Sequence, residues 1–192
     1  MVKKLLLVLA AAVVLLGAVI ATRPPGFRVE RSALVAAPAD VVYAQVADFH
    51  RWDAWSPWAQ LDPAAKIDFQ GPASGPGAVY HWAGNQKVGE GSMTVTAAAP
   101  PRELTIRLQF VKPWEQTSTT GFTFVPEGGA TRVTWSMSGD FDLLGRAMTL
   151  FMDMDRQVGP DFEKGLAALK KVAEAQAPPA PAPAGPAPAP AR

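Results

Sequence analysis

Side chains able to move a proton or hold a metal are sparse in this sequence. Its two histidines, His50 and His81, lie far apart, with no His, Asp or Glu nearby at a metal-ligand spacing. Glu90 would serve as a general acid or base if it pointed inward, but its flanking Gly89 and Gly91 fit a bulge or turn equally well. Asp153 and Asp155 flank Met154 in a helical stretch, a pairing that reads as a solvated face. Gly89-Glu90-Gly91-Ser92 is not the Gly-x-Ser-x-Gly elbow of hydrolases. The run from Gly71 to Gly77 holds two prolines and lacks the Lys-Ser/Thr of a phosphate loop. The absence of cysteine removes thiolate nucleophiles, Cys-based metal sites and disulfides together. The residues assemble no catalytic set, no metal site and no cofactor motif, and they name no protein partner.

Aromatic residues are the denser signal. Trp52-Asp53-Ala54-Trp55-Ser56-Pro57-Trp58 puts three of six tryptophans within seven residues. Pro57 and Pro63 make this a loop or a short helical turn. Trp55 and Trp58 then form either an aromatic wall at the entrance of a hydrophobic pocket or a structural plug whose indole N–H groups are tied to backbone carbonyls. The sequence leaves both open.

The elements that must position these residues are mostly strands. Leu104, Ile106, Leu108 and Phe110 alternate with Thr105, Arg107 and Gln109, giving a strand with one apolar face. Val133, Trp135, Met137, Gly139 and Phe141 alternate in the same way, and Met93–Val95–Ala97 and Phe122–Phe124 do so more weakly. Phe27 to Val35 and Ala65 to Phe69 add further strands, for six or seven in all. Gly84-Asn85, Pro100-Pro101, Lys112-Pro113 and Glu127-Gly128-Gly129 punctuate the runs as short turns, which means an antiparallel sheet with one buried face. A short helix is expected from Pro38-Ala39-Asp40 to Val46. A long one runs from about Leu143 to Ala175, its stripe made by Phe151, Met154, Val158, Phe162, Leu166 and Leu169. Gly159-Pro160 should kink or break it, with Asp161 and Glu163 favouring a new N-terminus. A sheet apolar on one face, followed by one amphipathic helix, predicts an α+β fold: a curved antiparallel sheet wrapped around the long C-terminal helix.

The tryptophan cluster, Gly71-Pro72 to Gly75-Pro76-Gly77, Tyr80-His81-Trp82-Ala83-Gly84-Asn85, Gly89-Glu90-Gly91-Ser92-Met93 and Phe162-Glu163-Lys164-Gly165-Leu166 form one ordered series. The series resembles the polyketide cyclase/dehydrase and lipid-transport family of the START-related helix-grip (SRPBCC) superfamily, over roughly Phe27 to Val172. The resemblance implies a cavity between sheet and helix, usually for a bulky apolar molecule, and brings no universal catalytic motif. The strand faces supply lining candidates in Leu108, Phe110, Phe122, Phe124, Trp135 and Met137. Tyr80 and Trp82 join them if both face inward, which sends His81 outward. Trp55 and Trp58 would come from the loop, and Phe151 and Phe162 from the helix. The opposing expectation is that the same side chains fill the core and leave no cavity.

Three functions follow. The domain binds or carries a hydrophobic small molecule or lipid; or it is a cyclase or dehydrase acting on a bound polyketide-like chain, which needs an acid/base pair about 3 Å from the reacting atoms; or it is a structural or chaperone-adaptor module with a filled core and an exposed apolar patch.

The N-terminus supplies a location. After Lys3 and Lys4, Leu5 to Ala21 is a 17-residue apolar run followed by Arg23, Pro24 and Pro25. As a helix it would reach about 26 Å, close to the thickness of a hydrocarbon core. The basic start puts the N-terminus in the cytoplasm and the domain on the extracytoplasmic, periplasmic side. Val19-Ile20-Ala21 is a poor cleavage site, so a membrane helix through residues 5–22 is favoured over a cleaved signal that would leave the domain periplasmic or secreted. The expected organisation is 1–23 anchor or signal, 24–176 helix-grip domain and 177–192 a Pro/Ala-rich tail, extended and holding seven of the 19 prolines. Without Lys3, Lys4, Arg23 and Arg192, 14 basic residues face 17 acidic ones, which argues against a nucleic-acid footprint.

Overall fold

Each alternating run becomes a strand of one antiparallel sheet. The computed structural model describes residues 1–177, so the expected tail lies outside the described residues from 178 onward. The strands are β1 (Gly26–Val35), β2 (Lys66–Gln70), β3 (Val79–Ala83), β4 (Glu90–Ala99), β5 (Glu103–Lys112), β6 (Gln116–Glu127) and β7 (Ala130–Asp140). Their order across the sheet is β1-β7-β6-β5-β4-β3-β2: a meander from β2 to β7, with β1 added beside β7. Between β1 and β2 the chain makes α2 (Ala39–Ala47) and a 3-10 helix (Phe49–Ala54). α1 (Val2–Ala21) precedes the sheet, and α3 (Leu143–Met148) and α4 (Met154–Gln176) follow it.

Register decides which side chains share a face, because opposite residues of an antiparallel pair project to the same side. Val29, Met137, Thr120, Ile106 and Val95 form one inward row across five strands. Trp135, Phe122 and Leu104 form the next, and Val133 and Phe124 a third. α4 lays Phe162, Leu166, Leu169 and Ala173 on this face, meeting β1 most extensively and also touching α2, β7 and the 3-10 helix.

The C-terminal helix corrects the sequence expectation in three ways. Helix does not run on from Leu143; residues 149–153 separate α3 from α4. Phe151 falls in that connection and is 90% exposed, so it does not line the interior. The physical reason is Asp153, whose carboxylate accepts from the Asp155 and Arg156 backbone N–H groups and starts α4 as an N-cap, two residues after Phe151. Finally, Gly159-Pro160 does not interrupt the helix. Pro160 and Arg156, whose carbonyl would have been its partner, both face solvent, so water can satisfy the freed acceptor.

α1 is the one helix among the described residues long and apolar enough to cross a membrane, and none of its side chains is buried. It meets the rest of the structure at α3.

Candidate functional site

The inner face of the sheet divides into a solid half and an open half. Under α4 the space is filled by stacked rings. Trp135 lies parallel to Phe162 with centroids 4.1 Å apart and an interplanar angle of 9°, and it also stacks on Phe122 at 5.0 Å. Trp55 and Trp58 pack edge-on to Trp135 at 5.6 and 5.7 Å. A side chain at Gly165 would stand 2.7 Å from the Trp135 ring, so glycine in the Phe162–Leu166 motif is what lets helix and indole approach.

The tryptophan loop is held from below. Trp52 donates its Nε1–H to the Val46 carbonyl at 2.9 Å, and Trp55 donates to the Gln45 carbonyl at 3.1 Å. Both indoles are buried, whereas Trp58 is half-buried against Phe162. Trp55, Phe122, Phe124, Trp135, Met137 and Phe162 are therefore core packing. Trp135 Nε1 is buried without an acceptor among the described residues.

Toward β2 the covering thins. The row Ile67–Trp82–Gly91–Phe110–Gln116 and the row Phe69–Tyr80–Met93–Leu108–Ser118 face inward on β2 to β6. Tyr80, Trp82, Met93, Leu108 and Phe110 are only half-buried, and Ile67 and Phe69 are exposed. Trp82 meets Phe110 edge-on at 5.5 Å and donates its Nε1–H to the Val88 carbonyl. Its ring lies over Gly91, where a β-carbon would stand 2.6 Å from it, which accounts for the second glycine of the Gly89–Ser92 run. Ser118 and Thr120 are buried where this open half meets the solid one. The result is an apolar cradle with an aromatic wall and two hydroxyls at its base.

Most charged groups stand elsewhere, although Asp53 bears on Tyr80 and the His50 ring stacks on Phe69. Glu90 and His81 lie on the outer face, Glu90 pairing with Lys112 at 2.6 Å. No carboxylate or imidazole projects from the inner face of the described strands. The cradle's one titratable strand residue is Tyr80, whose phenol is pushed up to about 12 by burial and then by the charge of Asp53. It remains protonated at neutral pH, able to donate a hydrogen bond and unsuited to act as a base. Arg31, inward on β1, is committed to Asp155 at 2.8 and 2.9 Å and to Glu163 at 2.8 Å. Asp155 thus ties helix to strand instead of forming a merely solvated face.

Two surface concavities have no α4 residue in their linings. One, about 320 Å³, lies along Lys66, Asp68, His81, Glu90, Ser92 and Val111. The other, about 190 Å³, lies where Phe49, His50 and Phe69 meet Gly71, Pro72 and Val79. His50 stacks on Phe69 at 3.9 Å and bonds Asp48 through Nδ1 at 2.9 Å.

Of the residues expected to line a cavity, the structure brings Tyr80, Trp82, Leu108 and Phe110 together in the cradle. Sequence reasoning missed Met93, Phe69 and Ser118 as their neighbours. The first two sat in recognised strands but in weak patterns, and Ser118 is polar, so no hydropathy signal marks it as inward.

Residues 26–174 match the family described as polyketide cyclase/dehydrase and lipid transport. No curated protein sequence matches. Solved structures share the fold at low identity. Protein CV1439 from Chromobacterium violaceum is 13% identical, with 79% of this chain and 98% of that one covered at a TM-score of 0.55. The Aha1 dimer from Colwellia psychrerythraea is 16% identical over 77% and 96%, at a TM-score of 0.56. Norcoclaurine synthase from Thalictrum, solved with a transition-state analogue, is 13% identical over 79% and 96%, at a TM-score of 0.56. The family match spans most of the chain and agrees with the sheet and helix described above: the protein belongs to the polyketide cyclase/dehydrase and lipid-transport family, with the helix-grip architecture.

Proposed function

We propose that this protein is a membrane-tethered, extracytoplasmic domain that binds or carries a hydrophobic small molecule or lipid in the cradle of β2 to β6. One observation carries the reading: Tyr80, Trp82, Met93, Leu108 and Phe110 share an inward face that α4, seated mainly on β1, leaves half-covered. Five large apolar or aromatic side chains held half-exposed on a rigid sheet cost solvation free energy unless something covers them, and an apolar ligand does so at about 25 cal/mol per Å². Ser118, Thr120 and the Tyr80 hydroxyl would orient one polar group of that ligand. A cyclase or dehydrase would need an acid/base pair at the same place; the inner strand faces offer phenol and alcohols, and the His50 imidazole that stacks on Phe69 is engaged by Asp48. The family's ligand-binding side therefore suits these residues better than its enzymatic side. α1 supplies the tether, and Lys3 and Lys4 support a cytoplasmic N-terminus.

The test is native mass spectrometry of the full chain released from detergent after purification from its own host. An apolar molecule should travel with the protein and be lost from a Trp82→Ala/Phe110→Ala variant that retains its sheet by circular dichroism. Protein that is repeatedly empty, and that binds no apolar dye, sinks the proposal.

A further inference from the structure

The register of the sheet brings the β5–β6 turn to the end of the molecule where α1 enters and α3 leaves. The start of β1, the end of β7, the β5–β6 turn and the β3–β4 loop all lie at that end, because Gly26 pairs with Asp140, Phe110 with Gln116 and Ala83 with Glu90. α1 leads into β1 there, and α3 leaves β7 there and packs against α1. On α3 and its connection to α4, Leu143 is 71% exposed, Leu144 70% and Phe151 90%. In the β5–β6 turn, one strand further along the sheet, Trp114 is 62% exposed. At the far end, the β4–β5 turn is Pro100-Pro101-Arg102, without a large apolar side chain.

We propose that this end seats on the surface of a lipid bilayer, with Leu143, Leu144, Phe151 and Trp114 inserted at the headgroup level beside the exit of α1. The inference rests on the proposed membrane tether. The occupant is lipid because α3, which carries Leu143 and Leu144, packs against α1, a helix whose apolar side chains are all unburied in the protein, so the plane that covers α1 also meets α3. Tryptophan, leucine and phenylalanine are the side chains that settle at such an interface, and a patch this exposed otherwise stays wet at a cost. The seating also has a consequence for the cradle. Its outermost inward row, Trp82–Gly91–Phe110–Gln116, is the row nearest this end, so an apolar ligand would enter from the bilayer without crossing water.

The chain has no cysteine, so single cysteines can be placed freely for spin labelling. Full-length Trp114→Cys, Leu144→Cys and Phe151→Cys proteins would be compared in vesicles of phosphatidylcholine and phosphatidylglycerol with Leu9→Cys in α1 and Arg102→Cys at the far end. The measured quantity is the ratio of collisions with oxygen to collisions with a water-soluble nickel chelate. Ratios at 114, 144 and 151 several-fold above that at 102, with 9 highest of all, are expected. A high ratio at 9 with 114, 144 and 151 matching 102 overturns the seating while leaving the tether intact. A water-like ratio at 9 means that α1 is not in the bilayer, and tether and seating fail together. Water-like ratios at 144 and 151 accompanied by dipolar broadening between labels would assign the patch to a second copy and overturn the lipid assignment.

Discussion

Two residues show how side-chain environment sets behaviour here. Tyr80 is held protonated by burial, its folded value raised above that of an unfolded tyrosine. The folded state therefore keeps its proton where the unfolded chain has begun to lose it. The stabilisation is complete below the ordinary tyrosine value near pH 10 and is lost as pH climbs toward about 12. Thermal melts between those limits should fall for the native protein and fall less for Tyr80→Phe; equal slopes would contradict the burial of the phenol. Gly165 is the second case. Alanine is intrinsically the better helix former by roughly 1 kcal/mol, yet its β-carbon would stand 2.7 Å from Trp135 and 3.1 Å from Pro57. Overpacking of this kind costs about 1–3 kcal/mol, so Gly165→Ala should lower the urea midpoint despite its helix propensity.

Among the elements, α4 depends on contacts that span its proline. Asp155 and Glu163 lie on either side of Pro160, and both hold Arg31 of β1. The clasp spans the turn in which the missing N–H would loosen the helix, in addition to the Asp153 cap. Arg31→Met should leave the sheet intact and speed amide exchange over residues 154–163 several-fold more than over 164–176. Uniform exchange along the helix would show that the clasp is incidental. The Arg31 guanidinium holds the Asp155 carboxylate below its ordinary value, chiefly by hydrogen bonding. Its contribution is accordingly present above the usual carboxylate range and disappears as pH falls through the depressed folded value. Acidification should loosen the same segment that Arg31→Met loosens.

For the whole molecule, the distribution of apolar surface is the distinguishing feature: a filled half under α4, a half-open cradle toward β2, and a bare patch where α1 meets the domain. The carrier reading predicts that the protein stays with membranes through alkaline carbonate extraction, and that N-terminal sequencing begins within the first residues of the chain. A mature N-terminus near Arg23 would mean a cleaved signal and a free domain. Deepening the filled half is expected to matter for stability rather than binding. Phe162→Ala should cost about 3–5 kcal/mol in denaturant titrations, while dye affinity in the cradle changes little.

Six of the seven strand positions, the short helix after Pro38 and the apolar N-terminal helix were legible in the sequence, because period-two alternation, a proline-led helix start and an uncharged run are local properties of the chain. Alternation also turned Tyr80 and Trp82 to one face and His81 to the other. What alternation does not carry is the coverage of that face. Trp135 and Phe110 have the same pattern in sequence, but only Trp135 lies under α4, and that depends on where the helix crosses the sheet. Phe151 kept the helical spacing yet lies outside, since the cap at Asp153 competes with continuation of the helix. Pro160 reads as a break because its local cost is visible, whereas Arg31, which ties the flanking turns to β1, is more than 120 residues away. The exposed patch is only partly legible along the chain. Leu143, Leu144 and Phe151 are neighbours in sequence, but only pairing of the strands brings Trp114 to their end of the molecule, because register is fixed by burial of the whole sheet rather than by any one segment.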